Sequence, residues 1–263
     1  MKAWKRIHIT KKRAVCGVLG LLLLAAAYMG VPRAAEKVFA VAEGERRLPI
    51  YCVQTEKPQV SVSFDAAWGA DDTDELLRIL KENDVKATFF LCGYWVEKYP
   101  EEVKKIAAEG HDLGNHSATH PHMSRISSEE IAQELQKCHE NVKKLTGVEM
   151  ELFRPPFGEY DNHVIETAEQ NGYYTIQWDV DSLDWKEQGA EAEIRQVLEH
   201  KHLGNGSIIL FHNDAKYTPK VLDTILKGIK EKGFEIVPIS QLIHRENFEM
   251  DHEGRQIPKG KDV

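Results

Sequence analysis

Two imidazoles stand four residues apart in His116-Ser-Ala-Thr-His120, and a carboxylate, Asp65, closes a Ser63-Phe-Asp65 triplet 51 residues before the first of them. Side chains at i and i+4 project to the same side of a helical turn, so the spacing predicts such a turn with both ring nitrogens aimed at one ion. A carboxylate at the end of an earlier strand can join them from the side. A divalent metal held by two His beside a carboxylate base is equipped to make hydroxide from water at neutral pH. His122, two residues further on, is either a third ligand or a loop side chain.

Such groups need a scaffold that brings them together. Short β-rich runs occur at residues 60–64, 87–91, 152–154, 174–178, 208–211 and 234–237, with a weaker one at 111–114. Helical periodicity fills the intervals at 73–83, 101–109, 128–145, 162–171, 191–200 and 218–232. Ser127 and Glu130 form a capping box, and Gly110, Gly147, Gly172 and Gly233 fall just past helix ends, where a left-handed residue is needed. Strand–helix alternation implies parallel strands with right-handed crossovers. Seven such units in under 200 residues predict an α/β fold built as a compact, incomplete (β/α)7-type barrel, with a doubly wound open sheet as the alternative. Asp65 follows the first strand, His116 and His120 the third, and Arg154 ends the fourth; Asp181 and Asp184 follow the fifth and His212 ends the sixth. In a barrel those strand ends share one face, so five strands deliver ionisable groups to one rim.

The ends of the chain carry a different message. Of the 263 residues, 1–13 hold Lys2, Lys5, Arg6, Lys11, Lys12 and Arg13 and no acid. That leaves 28 basic against 42 acidic side chains, a net charge of −14, on the remainder. An acidic body argues against a nucleic-acid partner. Residues 14–32 form an apolar run long enough, at about 1.5 Å per residue, to cross a bilayer core. The expectation is a transmembrane signal anchor with the basic head in the cytoplasm and the body outside; a cleaved signal peptide and a secreted body are the alternative. Residues 33–58 read as a stalk with one short strand within 48–53, residues 59–245 as the catalytic domain and residues 246–263 as a flexible tail. Cys52, Cys92 and Cys138 make no disulfide framework, and Cys92 and Cys138 read as small buried side chains. His8, His139, His200, His202 and His252 are assigned to solvent.

Ser63-Phe-Asp65, His116-Ser-Ala-Thr-His120, Arg154-Pro-Pro-Phe-Gly158, Asp181-Ser-Leu-Asp-Trp185 and Leu210-Phe-His212 resemble, in order, the five motifs of the polysaccharide deacetylases, the NodB-homology family or carbohydrate esterase family 4. The segment Phe64-Asp-Ala-Ala-Trp-Gly69 is more similar to the sporulation-associated PdaB-like branch. The resemblance implies that His116 and His120 bind a divalent metal, zinc or cobalt, and that Asp65 is the general base. It implies that Arg154 orients Asp65, that His212 is the general acid and that Asp181 tunes it. The backbone N–H of Phe157 would help hold the oxyanion, and Trp185 and Leu210 would cup the acetyl methyl. Trp68 either floors a sugar site or packs locally, and Asp184 either caps or pairs locally. No organic cofactor is implied.

The family motif has two successive Asp, the second a metal ligand, and here that position is Ala66. Asp71 or Asp72 would then be the substitute ligand, or the metal would sit on two His and water, or the protein would bind saccharide without catalysis. The expected activity is removal of N-acetyl groups from amino sugars of a cell-wall polymer, with spore or vegetative peptidoglycan the leading candidate. The alternatives are a catalytically impaired saccharide-binding relative and a sporulation docking protein.

Overall fold

A computed structural model describes residues 46–259. The basic head, the apolar run and the first half of the stalk lie outside the described residues, as do residues 260–263. Among the described residues no helix is long and apolar enough to cross a membrane.

In chain order the strands are β1 (Cys52–Val53), β2 (Gln59–Ala66), β3 (Thr88–Leu91), β4 (Asp112–Asn115), β5 (Leu152–Phe153), β6 (Tyr174–Thr175), β7 (Val180–Asp181), β8 (Ile208–His212), β9 (Glu235–Ile236), β10 (Phe248–Met250) and β11 (Arg255–Pro258). The helices are α1 (Thr73–Glu82), α2 (Gly93–Lys98), α3 (Pro100–Ala108), α4 (Ser128–Thr146), α5 (Asn162–Gln170), α6 (Ala190–Leu198), α7 (Thr218–Glu231) and α8 (Ile239–Leu242). The capping box at Ser127 and Glu130 is formed, and all four helix-ending glycines have positive φ. The two shortest helices, α2 and α8, carry too few turns to show a period, and the sequence did not signal them.

The main sheet runs β6-β5-β4-β3-β2-β8-β7, with β9 beside the start of β2, and every pairing in it is parallel. Its two edge strands, β6 and β7, are neighbours in sequence, with only residues 176–179 between them. Five residue steps reach at most about 17 Å, whereas six strand spacings laid flat span about 29 Å. The sheet must therefore curl until its edges approach, which is the incomplete barrel and not the doubly wound open sheet.

Strand β2 lies at its centre and divides its residues by face. Val60, Val62, Phe64 and Ala66 are buried in the main apolar cluster with the helices. Phe64 stacks between Phe89 and Phe211 of the flanking strands, at 4.9 and 5.7 Å between ring centroids. Burying that one side chain contributes about 1.5–3 kcal/mol. Ser61, Ser63 and Asp65 alternate to the other face, where the two serine hydroxyls donate to the carbonyls of Val237 and Ile209. Gly114 keeps β4 clear of the Phe90 ring: a Cβ there would meet it at 2.5 Å.

The tail departs from its expected flexibility. β10 and β11 form an antiparallel pair, and β11 lies parallel to β1 with Cys52 opposite Arg255 and Val53 opposite Gln256. The fully buried Gln256 is held by its amide, which donates to the His244 carbonyl and accepts from the His244 N–H. A strand buried through a polar side chain leaves no apolar alternation to read. The short strand expected within the stalk is present as β1, so residues 47–58 belong to the folded body.

Candidate active site

β2 carries Asp65 to the end of the sheet, where it pairs in register with Phe90 on one side and His212 on the other. Arg154, fully buried just after β5, reaches across to it. Its Nη1 donates to Asp65 Oδ1 at 2.8 Å, and its Nη2 donates to Ser63 Oγ and the Gln177 carbonyl at 2.9 and 3.1 Å. The guanidinium lies 4.1 Å over the Phe90 ring, an apolar seat that leaves the carboxylate as its natural counter-charge. Burial alone would raise the Asp65 carboxyl; the Arg154 guanidinium bonded to it, with the His212 ring nearby, outweighs burial and holds Asp65 below the usual carboxylate range.

The two imidazoles come from a loop, and the expected helical turn is absent. Ser117 and His120 both have positive φ, 66° and 57°. Glu134 of α4 takes the place of helical bonding, accepting from the N–H groups of Ala118 and Thr119 and from the Thr119 hydroxyl. Pro121 was the available signal, because a residue before proline is disfavoured in the helical region. The rings still meet, 4.9 Å apart between centroids. His116 Nδ1 lies 2.7 Å from the Arg154 carbonyl, which only accepts, so Nδ1 carries the hydrogen and Nε2 keeps its lone pair. Burial holds His116 below its ordinary value, and burial with the neighbouring His116 pushes His120 down to about 4. Both rings are therefore neutral at pH 7, the form that ligates metal.

His212 ends β8 and is partnered by Asp184, on the single 3-10 turn Asp184–Lys186 after β7. Asp184 Oδ1 accepts from His212 Nδ1 at 2.8 Å and from the Trp185 N–H at 2.7 Å, while Oδ2 accepts from the His212 N–H at 2.7 Å and faces the Thr218 hydroxyl at 3.2 Å. Burial opposes protonation of His212, but the Asp184 carboxylate overrides it and raises the imidazole above its ordinary value. The carboxylate in contact with His212 is thus Asp184 and not the expected Asp181. The Asp181 carboxylate accepts the Leu183 N–H at 2.8 Å and acts on His212 only through space.

Asp65, His116, His120, Asp181, Trp185, Leu210, His212, Phe157 and Trp68 all line one cleft of about 330 Å³. Trp68, Phe157 and Trp185 are the exposed large hydrophobics among the described residues, at 56, 55 and 58%, and all three stand on its rim. Asp71 and Asp72 do not line the cleft: Asp71 is exposed and Asp72 immediately precedes α1. His122 is a loop side chain, bonded to Glu159 at 2.7 Å and stacked on Phe157. His139, assigned to solvent, instead contacts the Tyr173 hydroxyl and Glu149, each at 2.7 Å; that hydroxyl also receives the Asn115 amide beside His116.

The donor chemistry fits a divalent ion held by the two neutral imidazoles, with Asp65 Oδ2 3.7 Å from His116 Nε2. The fit stops at those two rings. Ala66 offers a methyl, and among the described residues no group of three or more His, Cys, Asp or Glu is assembled to hold a metal.

Known proteins resemble this chain in sequence and fold. The polysaccharide deacetylase family model matches residues 53–176. The uncharacterized protein YlxY of Bacillus subtilis is 36% identical over 195 residues, which cover 74% of this chain and 60% of that protein. A peptidoglycan-N-acetylglucosamine deacetylase of Bacillus cereus is 34% identical over 190 residues, covering 71% of this chain and 68% of the relative. BA3943 of Bacillus anthracis, a CE4 family pseudoenzyme, superimposes with a TM-score of 0.71 at 35% identity, covering 74% of this chain and 68% of that one. A BA3943 mutant with restored enzymatic activity superimposes equally, at 36% identity over 74% of this chain and 71% of the mutant. On this likeness in sequence and in structure, the chain belongs to the polysaccharide deacetylase family, carbohydrate esterase family 4.

Proposed function

We propose that this protein hydrolyses the N-acetyl amide of amino sugars in peptidoglycan. The observation that carries the reading is a pair of pairs on adjacent strands: Asp65 bonded to Arg154, and His212 bonded to Asp184. Amide hydrolysis needs a base that stays ionised and an acid that stays protonated, and the two partners push the two groups in those opposite directions. Asp65 takes a proton from the attacking water as its oxygen bonds to the acyl carbon. His212 delivers a proton from Nε2 to the sugar nitrogen as the C–N bond breaks, giving acetate and a free amine. A divalent ion on His116 and His120 would supply Lewis acidity toward the acyl oxygen. Trp185 and Leu210 face the acetyl methyl, the Phe157 N–H supports the oxyanion, and Trp68 packs on a neighbouring pyranose.

Ala66 favours a second reading, a saccharide-binding relative without turnover, and the pseudoenzyme among the similar structures supports it. Acetate release from peptidoglycan fragments and N-acetylglucosamine oligomers, with zinc or cobalt added, separates the two. Release by the parent and none by Asp65→Asn supports hydrolysis. Saccharide binding with no release under any metal supports the binder. The apolar run at 14–32 behind a basic head supports a membrane-anchored protein with this domain outside the cytoplasm. Recovery of the full chain in the soluble cytoplasmic fraction would overturn that placement, and PdaB-like spore association rests on Phe64–Gly69 alone.

The pH profile follows from His212. Its raised value means that the acid form persists through neutrality and is lost as pH climbs through that value. Asp184→Asn removes the charge responsible, so the alkaline limb of acetate release should move down by about one pH unit. An unmoved limb would mean that another group is the acid.

A further inference from the structure

Behind Asp184 lies a second buried carboxyl that the chemistry above does not use. Glu193, in the first turn of α6, is 4% exposed. Its Oε1 lies 2.8 Å from the Thr218 hydroxyl, and its Oε2 has no protein partner. The same hydroxyl lies 3.2 Å from Asp184 Oδ2. Thr218 is fully buried at the start of α7, so its oxygen bridges two carboxyl groups with one hydrogen to give.

One hydroxyl hydrogen cannot serve both contacts, so for both to be hydrogen bonds one carboxyl must bring its own. Asp184 accepts from two backbone N–H groups, which can only donate, and its third contact is the ring Nδ1 of His212. A carboxylate has about four acceptor positions, and a Thr218 hydrogen turned toward Asp184 would fill the fourth. The 2.8 Å contact between Thr218 and Glu193 then needs its hydrogen from Glu193. An unpaired Oε2 also costs far less on a neutral carboxyl than on a buried anion. Burial above all, opposed by the Thr218 contact and aided by Asp184, pushes Glu193 up to about 7. Asp184 is the charged group that faces it, with His212 beyond.

We propose that Glu193 is a positioning residue for His212, a protonated carboxyl that donates to Thr218 so that Thr218 donates to Asp184. When Glu193 loses its proton, the Thr218 hydrogen turns from Asp184 to Glu193. Asp184 loses one bond, becomes the stronger partner, and His212 holds its proton to higher pH. The relay thus links the alkaline limit of the acid to the protonation of a group that never meets substrate. The role as acid rests on the deacetylase reading, but the linkage itself does not.

The test is an NMR titration of the His212 ring in the full chain, which reads the linkage whether or not any substrate is turned over. In the parent, the His212 resonances should show a second inflection near neutrality. Glu193→Gln keeps the shape and donates permanently through its amide, so the second inflection should vanish and leave a single-proton curve. Thr218→Val cuts the relay and should raise the His212 midpoint by about half a pH unit, the scale of one lost hydrogen bond, while Thr218→Ser restores the parent curve. Infrared difference spectra of the unaltered protein supply a second reading: a protonated carboxyl band below neutrality, absent from Glu193→Gln. Identical single-proton His212 curves in all four proteins, or no such band, would overturn the relay. Failure of acetate release alone would sink only the deacetylase reading.

Discussion

Replacing Ala66 with Asp should raise the affinity for zinc at least about a hundredfold, since even an outer partner of a metal ligand is worth 10–100-fold and this position supplies a ligand itself. The expectation has two halves because of where Ala66 sits. It is fully buried at the end of β2, within the main apolar cluster, one residue past Asp65. Without metal, Ala66→Asp places a carboxylate among apolar neighbours and should melt below the parent, because a buried charge needs a partner. Zinc supplies that partner. Its addition should lift the variant well above its own metal-free Tm, by about 2.7 kcal/mol at a hundredfold excess over Kd, while moving the parent little. Acetate release should rise in parallel. Thermal melts with and without zinc, paired with calorimetry, check both halves. Equal zinc stabilisation of parent and variant would mean that another donor already completes the parent site.

Much of this site was legible because the groups sit where strands end. Asp65, Arg154 and His212 each close an apolar run, and a parallel curled sheet gathers such ends at one rim. What sequence left open was decided by backbone turns with weak local signals. Asp181 ends β7 and Asp184 lies three residues on, and the one that reaches His212 is selected by Leu183, whose left-handed φ of 54° turns the chain back. A leucine announces no such turn. The loop holding His116 and His120 is shaped by Glu134, a side chain from the next helix, which no i, i+4 spacing contains. Glu193 looks like an ordinary acid in a helix's first turn, and only the packing of α6 on α7 buries it against Thr218. Local apolar period sets the elements; side-chain contacts between distant elements set the chemistry.

Removing Arg154 should be the most damaging single change to the fold, costing about 3–5 kcal/mol, because it strands a buried carboxylate. Arg154 and Asp65 side chains are 0 and 8% exposed, so water cannot replace the lost partner. Arg154→Met keeps apolar bulk over Phe90 but leaves Asp65, Ser63 and the Gln177 carbonyl without their donor. The pH dependence gives the diagnosis. In the parent, the depressed Asp65 carboxyl contributes stability that is present above its unfolded value and is lost as pH falls through the lower folded value. In Arg154→Met, burial acts unopposed by the guanidinium and the folded carboxyl rises above its unfolded value. The sign then reverses, and the variant should gain stability as pH falls from neutral into the acid range. Asp65→Asn in the same chain removes the stranded charge, so the double variant should recover a large part of the loss. Denaturant melts of the four proteins at two pH values measure the coupling. Additive losses with no reversal would show that Arg154 acts by packing on Phe90, and that Asp65 needs no cation to stay ionised.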